Sequence, residues 1–516
     1  MERSIALIGF MAAGKTRAGR AIGAALSRPA VDVDEELERN FGEPAGSLFS
    51  RLGEAEFRRR EEAVTLRLLA AGGIVSLGGG AVENPVLRKA LADHVAVWCR
   101  ISEQGAWDRA QRKPEKRPLV KDRAEFSARY AIRLPLYEQC ASVILPRGGD
   151  ETPRLAAPWL AALQEMSAAR MVWAETASAA YPALIGAGAI SKIGCVDPAA
   201  ACDARRFHLL ADPNALAHHE NLLGPVASRI VLGGSEQDKT LGEAGRVLGL
   251  LAAAGARRDE IAIAFGGGVV GDIAGFCAAV YQRGIGVVQV PTTLVAQVDS
   301  AYGGKTGVDL PTGKNYVGAF HQPLAVLADP STLSTLPAAE LSAGFAEVVK
   351  TALLAGGPLW ERVRAIEKLG ADRLDEIIFA CARTKLDIVA EDERDDGVRA
   401  NLNLGHTVGH AIETVGKYRR YRHGEAISLG LLAALRLSGA DDLRDEVAAL
   451  LARAGLPTEL DPALDIEQIL TAIARDKKAG PAGVGFVLLE RPGECRRGQL
   501  IEAATLRSAV AELVGK

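Results

Sequence analysis

Gly9-Phe10-Met11-Ala12-Ala13-Gly14-Lys15-Thr16 (GFMAAGKT) lies between an apolar run at Ser4–Ile8 and an amphipathic stretch at Arg17–Leu26. The eight residues fit G-x-x-x-x-G-K-[ST], in which backbone N–H groups and the following helix N-terminus bind phosphate. The lysine of this pattern reaches the transferring phosphate, and the hydroxyl holds Mg²⁺. We therefore predict a strand, a phosphate-binding loop and a helix. The expected nucleotide-binding residues are Gly9, Ala12, Ala13, Gly14, Lys15, Thr16 and Arg17.

The rest of the chain continues this alternation for most of its length. A length of 516 residues suggests three or four folding units. Strand-like and helical stretches alternate up to about residue 165 and resume at Met171. They give way to Ala/Leu/Glu-rich helical stretches after about residue 336. The pattern predicts an α/β fold with parallel sheets covered by helices. We expect a P-loop domain at 1–168, an α/β dinucleotide-binding domain at 169–335 and a mostly helical metal-binding domain at 336–516.

Composition excludes several classes of partner. The formal net charge is -3, and aromatic residues make up only 5% of the chain. Neither value favours nucleic acid or a membrane surface as a partner. The seven cysteines are scattered without CxxC spacing, so no disulfide framework or all-cysteine zinc site is predicted. We expect a cytoplasmic enzyme with small-molecule substrates.

Charged residues after the loop indicate what the nucleotide phosphorylates. Asp32 and Asp34 are predicted to end the second strand on one side, where one orders Mg²⁺ and the other holds an acceptor hydroxyl. Arg58 and Arg133 could form a fork for a small carboxylate, and Gly80 follows a strand where backbone can approach a ligand. Taken singly, each arginine could equally be a solvated helix-face residue.

Together these motifs resemble shikimate kinase over essentially the whole first block. The resemblance implies ATP-dependent phosphorylation of shikimate, with Asp34, Arg58, Gly80 and Arg133 on shikimate and Arg117 on ATP. Lys15, Asp34 and Arg117 would be catalytic, Asp32 would lie near Mg²⁺, and residues 112–121 would form a mobile lid. Gluconate and adenylate kinases share the loop but fit the other motifs less well. Ala12 departs from the family, which usually has glycine there.

A second glycine-rich turn lies in the middle of the chain. Gly266-Gly267-Gly268 follows an apolar run and, with Asp272, suits a pyrophosphate, although it lacks the G-x-G-x-x-G fingerprint. Taken alone, the turn could equally be a cluster of glycines that allows close packing, with no role in binding a ligand. Asp212 and Asn214 follow another predicted strand and could hold a ribose.

Histidines and a glutamate in the last third of the chain predict a metal site. His406 and His410 are four residues apart and therefore share a helix face. His423 follows, and Glu347 could supply a carboxylate. Two histidines and one carboxylate, with one position left open, form a common catalytic zinc set. The alternative is that the histidines only cap or pack helices.

Polar and cationic residues beside glycine turns suggest a pocket for a phosphorylated, polyhydroxylated substrate. Each could singly be a solvated side chain. The expected substrate-binding residues are Arg283, Asp299, Lys305, Asn315, Lys350, Lys385, Arg399, Asn403, His423 and Lys478.

This second block resembles 3-dehydroquinate synthase from about residue 172 onward, most closely at 266–278, 290–308, 313–323, 343–350 and 399–413. The resemblance implies conversion of 3-deoxy-arabino-heptulosonate 7-phosphate to 3-dehydroquinate and phosphate. A metal, zinc or cobalt, would be held by Glu347, His406 and His423, and NAD⁺ would take up and return a hydride. Asp395 and His410 would transfer protons. The implied NAD⁺ residues are Asp212, Asn214, Glu236, Lys239, Gly267, Gly268, Asp272, Thr292, Thr293, Lys314, Thr332 and Thr335.

Two departures and two alternatives accompany this second resemblance. Ser235 stands where the family usually has glycine, and Asp395 where it usually has glutamate. A glycerol-type dehydrogenase shares the architecture but not the phosphate-binding lysines. A regulatory or scaffold protein with one inactive block is a further alternative. The preferred hypothesis is a bifunctional enzyme of aromatic amino-acid biosynthesis that forms a homodimer through its synthase part.

Overall fold

The computed structural model describes residues 2–112, 122–146, 151–196, 206–311, 313–371, 374–475 and 484–515. The chain forms two compact units, residues 1–173 and 174–516. Among the described residues, no helix combines the length and the apolar character needed to cross a lipid bilayer.

The first unit is a parallel sheet flanked by helices. Its strands are β1 (Ile5–Ile8), β2 (Ala30–Asp32), β3 (Ile74–Ser76), β4 (Val95–Cys99), β5 (Val143–Leu145) and the start of β6 (Arg170–Glu175). Its helices are α1 (Lys15–Leu26), α2 (Val33–Phe41), α3 (Ala45–Leu52), α4 (Glu54–Ala70), α5 (Pro85–Leu91), α6 (Glu103–Gln111), α7 (Arg123–Cys140) and α8 (Glu151–Gln164). The strand order is β2-β3-β1-β4-β5-β6. All the apolar residues of β1 are buried, as expected of a central parallel strand.

The prediction that Asp34 ends the second strand is wrong. The strand stops at Asp32, and Asp34 lies in the first turn of α2. Asp32 accepts hydrogen bonds from the backbone N–H groups of Asp34 (2.9 Å) and Glu35 (3.5 Å). An aspartate that satisfies the first N–H groups of a helix favours a helix start over continued strand.

The second unit begins with parallel strands, and most of its later elements are helices. Its strands are β7 (Ala180–Ile185), β8 (Phe207–Ala211), β9 (Ser228–Val231), β10 (Ile261–Gly266), β11 (Gly286–Pro291), β12 (Lys305–Leu310), β13 (Gly313–Phe320), β14 (Ala325–Ala328), β15 (Gly485–Arg491) and β16 (Glu494–Leu500). The sheet order is β7-β14-β11-β10-β8-β9, whereas β12–β13 and β15–β16 are antiparallel pairs.

Within the described ranges of the second unit, eleven α-helices accompany these strands, and the later ones carry most of the second site. They are α9 (Pro213–His219), α10 (Leu241–Ala253), α11 (Gly268–Val280), α12 (Ala338–Ala355), α13 (Gly357–Arg364), α14 (Asp375–Glu391), α15 (His406–Val415), α16 (His423–Leu437), α17 (Asp441–Arg453), α18 (Ile466–Ala474) and α19 (Ala503–Ala511). Val247 of α10 and Val270 of α11 pack into the sheet core with Val287 of β11. The strong helical pattern after residue 336 is therefore real, although it also includes the β15–β16 hairpin.

Candidate functional site

The loop after β1 has the shape of a phosphate cradle. Gly9 and Gly14 have positive φ angles of 144° and 93°. A Cβ atom on Gly9 would lie 2.7 Å from the backbone oxygen of Cys99, so only glycine fits there. The Lys15 ammonium donates to the backbone oxygens of Gly9 (2.9 Å) and Phe10 (3.3 Å). Burial lowers the pKa of Lys15. The lysine therefore lies folded against the loop whose N–H groups would hold phosphate.

Ala12 is the strained member of this loop. Its φ angle of 65° is left-handed, a conformation that costs a residue with a Cβ about 1 kcal/mol or more. The guanidinium of Arg109, on α6, donates to the Ala12 backbone oxygen at 3.1 Å. Sequence analysis did not select Arg109, because its separation from the loop gives no local signal. Arg17 lies in the first turn of α1 with an exposed side chain.

The two predicted magnesium residues are in direct contact. The Thr16 hydroxyl donates to Asp32 Oδ2 at 2.6 Å, while Asp32 Oδ1 caps α2. Hydroxyl and carboxylate oxygens are suitable Mg²⁺ partners, directly or through water. These residues therefore fit a Mg²⁺ ion beside the phosphate loop.

Asp34 lies in an acidic environment at the same cleft. The pKa of Asp34 is raised to about 6. The main cause is the removal of water by the surrounding protein, and repulsion from the Asp32 and Glu61 carboxylates adds to it. Solvent still reaches the residue, which limits how far its ionised form is disfavoured. A carboxylate with a raised pKa is suited to accept a proton near neutral pH.

Both predicted carboxylate-binding arginines are held by acidic residues. Arg58 donates to Glu61 at 2.6 Å, and its guanidinium is so close to Gly80 that a Cβ there would be 2.6 Å away. Arg133 is 6% exposed and donates to Glu83 at 2.9 Å. Its buried Nε atom has no hydrogen-bond acceptor among the described residues. The two arginines retain capacity for a ligand carboxylate. Arg117 and most of the expected lid at residues 112–121 lie outside the described residues.

In the second unit, the predicted dinucleotide residues gather where parallel strands end. Asp212 follows β8, and its carboxylate accepts from the N–H groups of Asn214 (2.8 Å) and Ala215 (3.0 Å). A Cβ on Gly267 would lie 3.0 Å from the Thr293 side chain, and one on Gly268 would lie 3.0 Å from Ser300. Thr292, after β11, donates its N–H to Gly266 at 2.9 Å. Ligands of open α/β sheets bind at this carboxyl edge.

Two lysines join the dinucleotide side to the rest of the site. Lys239 lies 2.5 Å from Asp272 and donates to Asn315 at 2.6 Å. Lys314 lies 2.9 Å from Glu236. Ser235, the departure from the family, forms a capping box with Asp238 and so has a local structural use.

The side chains of Thr332 and Thr335, two further predicted dinucleotide residues, form hydrogen bonds within the protein. Thr332 accepts from Gln297 at 3.0 Å. The Thr335 hydroxyl is 2.6 Å from His219 Nε2. Both threonines therefore contribute to the packing that holds the turn before α12.

Three helices bring the predicted metal ligands together. Glu347 of α12, His406 of α15 and His423 of α16 present ligand atoms that lie within 4.8 Å of one another. Glu347 Oε1 is 3.6 Å from His406 Nε2 and 3.3 Å from His423 Nε2. His406 Nδ1 is 3.1 Å from the Leu404 backbone oxygen, which orients Nε2 toward Glu347.

The chemistry of this cluster fits a divalent metal. Glu347 is fully buried, and neither carboxylate oxygen accepts a well-aligned hydrogen bond from a described residue. Burial alone would raise the pKa of Glu347, but Lys350 and the two imidazoles hold it well below its usual range. An ionised, under-satisfied carboxylate beside two imidazoles is a donor set that zinc or cobalt accepts. The His410 ring centre lies 5.2 Å from that of His406.

A cationic group lines the neighbouring space. Lys350 lies 2.5 Å from Glu347 and 3.6 Å from Asp299. Lys385 pairs with the Asp299 carboxylate and also donates to its backbone oxygen at 2.5 Å. Burial lowers the pKa of Lys385 to about 8. Buried cations close to a metal group suit an anionic substrate.

The other predicted substrate residues differ in their surroundings. Lys305 lies 2.5 Å from Asp395, whose φ angle is 67°. Arg399 is buried and donates to the backbone oxygens of Glu393 (2.5 Å) and Gly303 (2.9 Å).

Three further predicted substrate residues lie in separate parts of the second unit. Asn403 donates to the Ala400 backbone oxygen at 3.0 Å, just before the helix that carries His406. Arg283 is exposed at the end of a turn after α11. Lys478 lies outside the described residues.

Sequence analysis missed Glu413. It lies on α15, one helical turn beyond His410, with its carboxylate 3.3 Å from His423 Nδ1 and 3.1 Å from Lys314 Nζ. The spacing from His406 to His410 to Glu413 places all three on one helix face, and this signal could have identified it.

Comparison with known proteins gives related sequences for the second unit. The 3-dehydroquinate synthase of Acidithiobacillus ferrooxidans is 47% identical over 273 residues, which cover 51% of this chain and 75% of the relative. That of Halorhodospira halophila is 40% identical over 344 residues, covering 63% of this chain and 94% of the relative.

Solved structures share the fold of this unit. A 2-deoxy-scyllo-inosose synthase complexed with carbaglucose-6-phosphate, NAD⁺ and Co²⁺ is 25% identical, with a TM-score of 0.59. The match covers 66% of this chain and 99% of that structure. A 2-epi-5-epi-valiolone synthase from Streptomyces hygroscopicus is 23% identical, with a TM-score of 0.55, and covers 61% of this chain and 92% of that structure.

The fold and sites define a P-loop kinase unit joined to an α/β enzyme with a dinucleotide-type sheet edge and a His–His–carboxylate cluster. Family models match at residues 11–164 (shikimate kinase), 229–343 (3-dehydroquinate synthase N-terminal) and 344–479 (3-dehydroquinate synthase C-terminal). The chain belongs to the 3-dehydroquinate synthase family and carries a shikimate kinase domain before it. It is a bifunctional shikimate-pathway enzyme that combines a phosphotransferase with a carbon–oxygen lyase.

Proposed function

We propose that each reaction has its own active site, built from the residues described above. In the first unit, the loop N–H groups and Lys15 would bind the phosphates of ATP, and Thr16 and Asp32 would hold Mg²⁺. Bound Mg²⁺ supplies charge neutralisation for phosphoryl transfer. The support for this assignment is the cradle geometry of Gly9 and Gly14 together with the Thr16–Asp32 contact.

The acceptor of this phosphoryl group would be a hydroxyl of shikimate. Asp34 would accept the hydroxyl proton, for which its raised pKa is suitable. Arg58 and Arg133 would bind the shikimate carboxylate beside Gly80. In doing so, they would replace their contacts with Glu61 and Glu83 by contacts with the ligand. Arg117 and the basic segment around it would close on ATP and exclude water.

In the second unit, Glu347, His406 and His423 would hold Zn²⁺ or Co²⁺, and the sheet edge around Asp212 and Gly267 would hold NAD⁺. When bound, the metal polarises a substrate hydroxyl, and NAD⁺ reversibly accepts its hydride. The substrate would be 3-deoxy-arabino-heptulosonate 7-phosphate, and the products 3-dehydroquinate and inorganic phosphate.

The protein's own side chains would position this substrate and move its protons. Lys350, Lys385 and Lys305 would bind its phosphate and carboxylate, since two of them are buried cations beside the metal group. His410 and Asp395 would transfer protons. Asp395 lies 2.5 Å from Lys305, which would orient its carboxylate.

One observation carries the synthase assignment: the fully buried Glu347 carboxylate has its Oε1 atom 3.6 Å from His406 Nε2 and 3.3 Å from His423 Nε2, which makes a compact donor set for a divalent metal. The test is phosphate release from the heptulosonate phosphate by chelator-treated full-length protein, with Zn²⁺ and NAD⁺ added singly and together. We expect release only with both, and no net NADH. Net NADH without phosphate release would indicate a glycerol-dehydrogenase-like reaction instead.

We also propose a homodimer formed through the synthase unit, acting in the cytoplasm. Support for a reducing compartment is that Cys99, Cys277 and Cys381 are buried free thiols. Light scattering after size-exclusion chromatography would test the dimer, and a monomer at micromolar concentration would contradict it.

A further inference from the structure

A chain of alternating charges crosses the second site and ends at a proposed metal ligand. Glu236 lies 2.9 Å from Lys314, Lys314 lies 3.1 Å from Glu413, and Glu413 lies 3.3 Å from His423. Lys314 and Glu236 face the dinucleotide side, whereas His423 faces Glu347 at 3.3 Å. Four charged contacts thus connect two places that would hold different cofactors.

Glu413 is the shared member of this chain. Its side chain is 3% exposed, with Oε1 directed to Lys314 and Oε2 to His423 Nδ1. A carboxylate that receives the Nδ1–H of a neutral imidazole leaves Nε2 as the lone-pair donor and increases its basicity.

We propose that Glu413 is a positioning residue for His423, and that Lys314 makes metal binding and dinucleotide binding mutually favourable through it. The inference rests on the proposed function of the two cofactor sites. Without dinucleotide, the Lys314 ammonium neutralises part of the Glu413 charge. Oxygen atoms of a bound dinucleotide would draw the Lys314 ammonium away from Glu413 and toward Glu236. Less of the Glu413 charge would then be neutralised, and more of it would act on His423. The imidazole then binds metal more tightly, and by linkage bound metal tightens the dinucleotide equally.

The test measures binding rather than turnover. Zn²⁺ affinity of metal-free full-length protein is determined by competition with a chromophoric chelator, with and without saturating NAD⁺. We expect NAD⁺ to tighten Zn²⁺ binding about 5-fold or more. Lys314→Met should bind Zn²⁺ without NAD⁺ about as tightly as the wild type does with NAD⁺, because nothing then neutralises Glu413, and the factor by which NAD⁺ tightens binding should fall to about one. Lys368→Met, at an exposed lysine, is its matched control.

Glu413→Gln tests the positioning role itself. It should weaken Zn²⁺ binding by about 10-fold or more, the usual effect of losing a residue that orients a metal ligand. It should also alter the visible absorption of bound Co²⁺. Glu446→Gln, on α17 and paired with Arg364, should change neither.

The outcomes separate this inference from the proposed function. Failure of the wild type to bind Zn²⁺ would overturn the metal site itself. Tight Zn²⁺ binding that NAD⁺ leaves unchanged would overturn the coupling while leaving the metal site intact. Wild-type Zn²⁺ affinity in Glu413→Gln would overturn its positioning role. The wild-type comparison needs no substitution, so the coupling remains testable if a variant fails to fold.

Discussion

Lys350 Nζ lies 2.5 Å from Glu347 Oε2, and neither side chain is more than 1% exposed. Both residues belong to α12, one helical turn apart. The lysine keeps the carboxylate ionised without occupying the Oε1 atom that faces the two histidines. This arrangement supports the proposal that Glu347 Oε1 binds a divalent metal and that Lys350 binds an anionic substrate.

Replacement of Lys350 by methionine should destabilise the second unit. The change leaves the buried Glu347 carboxylate without its cation, which typically costs about 3 kcal/mol or more, and Asp299 retains only Lys385. The free energy of unfolding of the metal-free protein, measured in urea, should fall by this amount, whereas Lys368→Met should leave it unchanged. Equal stability of both variants would mean that the pair contributes nothing to folding.

Ala12→Gly should stabilise the first unit. Alanine at a φ angle of 65° is strained, and glycine removes about 1 kcal/mol of that strain. In calorimetry, the unfolding transition of this unit can be identified because added ADP raises its midpoint temperature. That midpoint should be higher in Ala12→Gly than in the wild type. Ala13→Gly, at a neighbouring position outside the left-handed region, should lower the same midpoint. A fall for both variants would contradict the strain at Ala12.

The kinase rate should show an acidic limb set by Asp34. Because protein burial and the Asp32 and Glu61 carboxylates raise its pKa to about 6, kcat/KM for shikimate should fall as pH drops through that value. Glu61→Gln removes one neighbouring charge, so the limb should move to lower pH. Glu35→Gln, an exposed acid on the same helix, serves as the control. An unchanged limb in Glu61→Gln would exclude Asp34 as its source.

Asp395→Asn should shift the alkaline limb of synthase activity. Burial lowers the pKa of Lys305, and the Asp395 carboxylate opposes that effect. Loss of the charge should lower the pKa further, so Lys305 loses its proton at lower pH and kcat/KM declines earlier. Asp396→Asn, at the exposed neighbour, should retain the wild-type profile. A shift of equal size in both variants would assign the effect to general surface charge.

Motifs with short spacing could be predicted from sequence. The phosphate loop between β1 and α1 and the histidine pair on α15 both depend on local periodicity, and both form as expected. The start of α2 could not be placed, because Asp32 is compatible with a strand end and a helix cap. Only its hydrogen bonds to the following N–H groups decide between them.

Contacts between distant segments were beyond sequence spacing. The Arg109 contact with Ala12 depends on how α6 packs against the loop, and the Lys314–Glu413 contact depends on the β12–β13 pair approaching α15. Family resemblance supplied Glu347 as a metal ligand, but it gave no reason to select Glu413. Its place on the same helix face as His406 and His410 was a local signal, but its contacts with Lys314 and His423 come only from the packing of other segments against α15.

One paired assay tests most directly whether two independent active sites share this chain. Lys15→Ala and His423→Ala proteins, each shown to be folded, are assayed for both ATP-dependent phosphorylation of shikimate and phosphate release from the heptulosonate phosphate. We expect Lys15→Ala to lose on the order of 100-fold or more of kinase activity and to keep synthase activity. His423→Ala should show the reverse. Loss of both activities in either folded variant would contradict two separate sites.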